Sequence, residues 1–97
     1  QVFQKHSIYL NIGDSQSVKL LASVLARLGY AEVKEVKESK QWSRKGFSFE
    51  VFPINRNLPV RLSCNRVTVE KIREFDPTNP KSFTDLSSIA IASVDNA

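Results

Sequence analysis

A chain of 97 residues is long enough for one domain and too short for two, and residues 1–97 are read as a single domain. Hydrophobic side chains make up 41% and charged ones 25%, ordinary globular usage, with six Phe, two Tyr and one Trp to build a core. The lone cysteine, Cys64, excludes an internal disulfide framework and a Cys-rich zinc site, and no apolar run approaches the ~20 residues that span a bilayer, so no membrane partner is expected.

The first element is Ser-Ile-Tyr-Leu-Asn-Ile over residues 7–12, where Ile8, Leu10 and Ile12 share one face, as in a half-buried strand. The preceding Gln1-Val2-Phe3-Gln4 lacks the basic-then-apolar pattern of a signal peptide. Gly13 ends the strand, and Asp14 or Ser15 can cap a helix beyond it. Val18, Leu21, Ala22, Leu25 and Leu28 recur at helical spacing, with Gly29 placed as a left-handed stop. From Ala31 to Lys40, Lys and Glu alternate around Val33 and Val36, a pattern that requires a bulge or an exposed edge.

Ser43-Arg44-Lys45-Gly46 has turn chemistry, and Phe47, Phe49 and Val51 then alternate on one face of a strand. Pro53 and Asn55–Pro59 mark a loop, Val60–Cys64 a further strand, and Val67–Val69 its continuation, with a short helix over 68–75 as the alternative. The prolines of 76–80 place a loop at residues 76–88, ahead of a C-terminal strand at Ile89–Val94 that is apolar on both faces. The expected class is α+β: a single-layer, largely antiparallel sheet with one helix on one face, in the order β-α-β-β-β-β, ferredoxin-like or a variant. The apolar segment 86–94 would pair a second copy or a larger complex.

No catalytic constellation stands out. His6, the sole histidine, has neither a second histidine nor a cysteine pair to share a metal, and reads as a surface residue beside a strand. Gly13, Gly29 and Gly46 are isolated and open no phosphate loop. Cys64 shares a face with Val60 and Leu62 and reads as a small buried hydrophobe rather than a nucleophile; a free thiol fits a reducing, intracellular compartment. The chain is therefore read as a binding module, not an enzyme, without cofactor.

The charge distribution points to an anionic partner. Residues 34–66 carry eight bases (Lys34, Lys37, Lys40, Arg44, Lys45, Arg56, Arg61, Arg66) against three acids (Glu35, Glu38, Glu50). Within that region, Lys45-Gly46-Phe47-Ser48-Phe49-Glu50-Val51-Phe52 resembles the octamer of the RNA recognition motif family, and Ile8–Ile12 looks like its shorter companion motif. The resemblance, over residues 7–52, implies single-stranded RNA binding: Tyr9, Phe47 and Phe49 would stack bases, Lys45 would meet a phosphate, and Lys40, Trp42 and Arg44 would adjoin. Leu25 to Ile54 is also similar to half of the triphosphate-tunnel barrel family, which includes a Mediator head subunit; that resemblance implies a docking subunit. The partner is thus expected to be single-stranded nucleic acid or an acidic protein surface, and the alternative function is an assembly subunit that docks through a strand edge. The direction of Glu50 decides whether Phe49 faces the core.

Overall fold

The computed structural model describes residues 7–15 and 18–94. The surface placement expected of His6, and the Gln1–Gln4 terminus, lie outside these residues. The chain runs β1 (Ser7–Asn11), α1 (Val18–Arg27), β2 (Ala31–Glu32), β3 (Gln41–Lys45), β4 (Ser48–Val51), β5 (Val60–Cys64), β6 (Val69–Asp76), β7 (Asn79–Leu86) and β8 (Ser88–Ala92). It is an α+β fold with one helix and a mostly antiparallel sheet, as expected. To that outline the structure adds strands and a division: β2 to β7 form one six-stranded sheet in sequence order, and β1 pairs with β8 in a separate ribbon.

The helix ends as its sequence requires. Gly29 takes φ 94°, the Tyr30 N–H reaches the Leu25 carbonyl at 3.2 Å, and the Gly29 N–H reaches Ala26 at 3.0 Å. Those two bonds are the paired closures of a Schellman motif, which satisfies carbonyls that a helix end leaves orphaned. The buried Tyr30 and Leu25 accompany it. At the other end Asp14 Oδ2 accepts the Asn11 N–H at 2.8 Å and Ser15 forms an isolated bridge with Thr68. The helix cap expected of Asp14 or Ser15 involves residues 16–17, which lie outside the described residues.

Alternation decides the core. Val60, Leu62 and Cys64 face inward with Phe49, Val51, Val69 and Ile72, and meet Leu21 and Leu25 of the helix. Leu10, Ile89 and Ile91 close the cluster from the β1–β8 ribbon. Segment 86–94 is therefore not a free docking strand. Its backbone is paired with β1, Ile89 and Ile91 are buried, and the Asn55 side-chain amide spans Ala90 and Ala92 on the strand's other edge.

Segment 76–88 is not a loop either. Residues 79–86 form β7, joined to β6 by the two-residue turn Pro77–Thr78, whose entry is tied by Asp76 Oδ1 accepting the Thr78 N–H and hydroxyl at 2.9 and 2.7 Å. These residue types favour turns, and proline is tolerated on an edge strand. Likewise Ser43–Lys45 belong to β3, and the turn falls at Gly46–Phe47, with Gly46 at φ 61°. Glycine at the first position of a two-residue hairpin suits that backbone.

β2 and β3 are parallel neighbours, Ala31 opposite Gln41 and Glu32 opposite Trp42. The connection 33–40 must cross one face of the sheet. It is pinned by the Gln41 Oε1, which accepts the Lys37 and Glu38 N–H groups, and it turns at Lys40, whose φ is 75°. Val36 is buried beneath it, apart from the main core.

Candidate functional site: an arginine–aromatic face

The helix and the β1–β8 ribbon cover one side of the six-stranded sheet. The other side carries the alternate residues of each strand, and these are mostly polar. One row crosses five strands in direct register: Ser43, Glu50, Arg61, Arg73 and Asp85. Its charges run negative, positive, positive, negative from β4 to β7. Like charges directly opposite one another destabilise a sheet, so the Arg61–Arg73 pair needs compensation.

Compensation comes from both flanks and from beneath. Glu50 Oε2 accepts from Arg61 Nε at 2.9 Å and Nη2 at 2.6 Å. Asp85 Oδ1 accepts from Arg73 Nε at 2.8 Å, a bond that holds the Asp85 carboxyl below the usual carboxylate range. Arg61 lies over the Phe75 ring, 5.1 Å from its centroid, and Arg73 over Phe83 at 3.9 Å. Phe75 and Phe83 are themselves opposite partners on β6 and β7. Stacking on a ring and bonding to a carboxylate fix each guanidinium plane.

Arg73 retains capacity. Its Nε is engaged, while its two terminal nitrogens have no hydrogen-bond partner among the described residues. They form a fork suited to an incoming carboxylate. The cleft beside these groups, about 380 Å³, continues past Glu50 and Lys45 to Lys34 and Val36 of the crossing loop. Half of the Phe83 surface stays open to solvent. A preset pair of arginines, two aromatic rings and flanking acids can grip a polar protein surface. Among the described residues no three His, Cys, Asp or Glu side chains converge to hold a metal ion.

The residues singled out from sequence do not assemble into one platform. Trp42 and Phe49 are core residues, stacked on each other at 5.9 Å between centroids, and offer no face to a base. Tyr9 is 73% exposed but stands on the β1–β8 ribbon, a different sheet from Phe49. Phe47 is half exposed at the β3–β4 turn. Arg44 bonds the Gly46 carbonyl and covers Phe49, and Lys40 serves the turn, its N–H on Phe52 and its carbonyl under Ala31. Lys45 alone of the seven lines the cleft.

Glu50 is half-buried against Arg61, which settles its direction: it points away from the core and Phe49 points in. Sequence reasoning misses Arg73, Phe75 and Phe83, and counts Arg61 only as charge. The alternation of Lys71, Arg73 and Phe75 is the signal that could have grouped them.

The family described as the UvrB interaction domain matches residues 8–96. Transcription-repair-coupling factors are similar to this chain: that of Bacillus subtilis is 26% identical over 91 residues, covering 94% of the chain and 8% of the relative. The Haemophilus influenzae factor is 26% identical over 89 residues, covering 92% and 8%, and the Escherichia coli factor 25% over 84, covering 87% and 7%. The chain thus spans about 8% of the length of the curated relatives it matches. These matches replace the likenesses to the RNA recognition motif and the triphosphate-tunnel barrel, and with them the reading of RNA binding. The topology gives the physical reason. The two RNA motifs must lie on adjacent strands, whereas here they fall on β1 and β4, in separate sheets.

Proposed function

Because this chain belongs to the UvrB interaction domain family, a family of protein-interaction modules, we propose that it docks a protein of the UvrB repair assembly through the arginine–aromatic face of its six-stranded sheet. One observation carries the choice of face: Arg61 and Arg73 stand directly opposite each other, a pairing that would cost stability without the acids and rings built around it and that nothing in the core requires. Arginines held rigid on aromatic rings are the side chains that dominate the energetics of protein interfaces. Partly exposed, they lose little conformational freedom when a partner arrives. The partner's complementary surface carries carboxylates for the Arg73 fork, and apolar groups for Phe83.

The reading is tested by titrating the 97-residue chain, by calorimetry, against purified UvrB and, separately, against each protein that assembles with it. Arg73→Ala and Arg61→Ala are expected to weaken binding of the responding protein at least tenfold, the scale of hot-spot truncation. Tyr9→Ala, on the ribbon, leaves it unchanged. Binding that survives both arginine variants, or that fails with Tyr9→Ala alone, refutes this face as the docking surface.

A further inference from the structure

The six-stranded sheet has two edges of different kinds. At one, β2 is two residues long. At the other, β7 runs eight residues, and no backbone hydrogen bond reaches the outer side of 79–86 from elsewhere among the described residues. Which of its peptide groups face outward is set by the register. The Phe75 N–H donates to the Pro59 carbonyl at 3.0 Å, so Phe75 and Arg73 turn their peptide groups toward β5. Alternation then turns Ile72 and Glu74 toward β7, where they meet Leu86 and Thr84. Phe83 and Asp85 are left with their N–H and C=O groups directed to solvent.

The open stretch is short and bounded. Toward the turn, Pro80 lacks an N–H, and the Lys81 N–H is drawn to Asn79 Oδ1 at 3.3 Å. At the other end the Ser87 carbonyl accepts the Ile12 N–H at 3.0 Å, which closes the edge. Proline and lysine are devices that protect edges from indiscriminate pairing; here they guard one end and leave Phe83–Asp85 open. The pairing with β6 is regular from Ile72 to Phe75, and its bulge comes only at Phe75/Asp76. The side chains of Phe83 and Asp85, moreover, belong to the arginine face already described.

We propose that β7 accepts an extended segment of the protein partner as an added strand, paired through the peptide groups of Phe83 and Asp85. This rests on the docking reading above and specifies its geometry. Side chains directly opposite each other share a face. The segment therefore places an apolar side chain against Phe83 and, two residues away, a basic one against Asp85. Binding by main-chain pairing at an edge, with alternate side chains read on one face, is an established recognition mode in other folds.

Asp85→Pro removes an outward N–H without touching any β6 bond, and Asp85→Ala controls for the lost carboxylate. With the repair-assembly protein that binds the unsubstituted chain, Asp85→Pro is expected to weaken binding at least tenfold more than Asp85→Ala. Hydrogen exchange on the unsubstituted complex gives a second measurement that does not depend on the variant folding. The Phe83 and Asp85 amides should slow on binding, while Thr84 and Leu86, already paired, change little.

Equal affinities for the two Asp85 variants, or unchanged exchange at Phe83 and Asp85, overturn the added strand. If the arginine variants still weaken binding in that case, the docking face stands without it. If no protein of the assembly binds, both readings fall. A chain dimer that Asp85→Pro dissociates would assign the edge to a second copy instead, and would also overturn the proposal.

Discussion

Replacing Tyr30 by Phe tests how the two sheets are held together. The Tyr30 hydroxyl donates to the Ala92 carbonyl at 2.7 Å and accepts the Ile54 N–H at 3.0 Å. One oxygen thus ties the end of the helix to the C-terminal end of β8 and to the loop after β4. The ring itself is buried, so Tyr30→Phe keeps the packing and removes only the two bonds. Leaving a donor and an acceptor without partners at a part-buried site costs about 1–3 kcal/mol each where water is excluded, and less where it enters. A loss of about 2 kcal/mol is expected, which for a domain of this size lowers Tm by roughly 8–16 °C.

The same residue has a signature in alkali. Burial pushes the Tyr30 hydroxyl above its ordinary value, and the Ile54 N–H offsets this in part. A tyrosine whose folded pKa exceeds its unfolded value of about 10 contributes stability that is full below that value and disappears as pH rises through the folded one. The Tm advantage of the unsubstituted chain over Tyr30→Phe should therefore be constant from about pH 7 to 9 and shrink above about 10. Thermal unfolding by circular dichroism, stepped in pH, measures both effects. A variant within about 0.5 kcal/mol of the parent, or a gap that widens in alkali, would refute the two-bond account.

Two further substitutions probe the hairpins. Phe49→Ala empties a fully buried ring site and should cost about 3–5 kcal/mol in denaturant unfolding, whereas Phe47→Ala, at the exposed turn, should stay within about 0.5 kcal/mol. Equal losses would show that the two rings share an environment. Lys40→Gly relieves a left-handed backbone that costs a side-chain-bearing residue about 1–2 kcal/mol, against an added unfolded-state entropy of about 0.5–1 kcal/mol. A net gain of roughly 0.5 kcal/mol is expected, and a loss in the same assay would count against strain at that turn.

The elements legible in the sequence are those whose period is local. Ile8 and Leu10, the stripe from Leu21 to Leu28 with its Gly29 stop, and Val60-Leu62-Cys64 each announce one buried face. β7 is hidden because Asp76, Pro77, Asn79 and Pro80 are loop residues by type, and only their pairing with β6 makes them a hairpin. Phe47 and Phe49 look equivalent by alternation until the turn falls at Gly46–Phe47 and separates them. The docking face is hidden for a related reason. Arg61 and Arg73 are distant in sequence and meet only through strand register, which no local period encodes. Strand order also undoes the RNA likeness, since both motifs are present in composition and lie on different sheets.

The basic excess of the chain suggests a polyanion, yet the geometry distributes it otherwise. Lys40 and Arg44 are engaged in the turns they occupy, and Arg56 is bonded to Glu74 at 2.9 Å, away from the row. On the row itself, Glu50 and Asp85 balance Arg61 and Arg73, so its net charge is zero while its charges keep a fixed negative–positive–positive–negative order. A neutral row with acids outside and arginines inside attracts no charged surface indiscriminately. It discriminates by position, since a partner shifted by one strand would set like charges against each other. That is a property suited to choosing one protein surface among many, and it explains why the charge that matters here is better described by its order across β4 to β7 than by its sum.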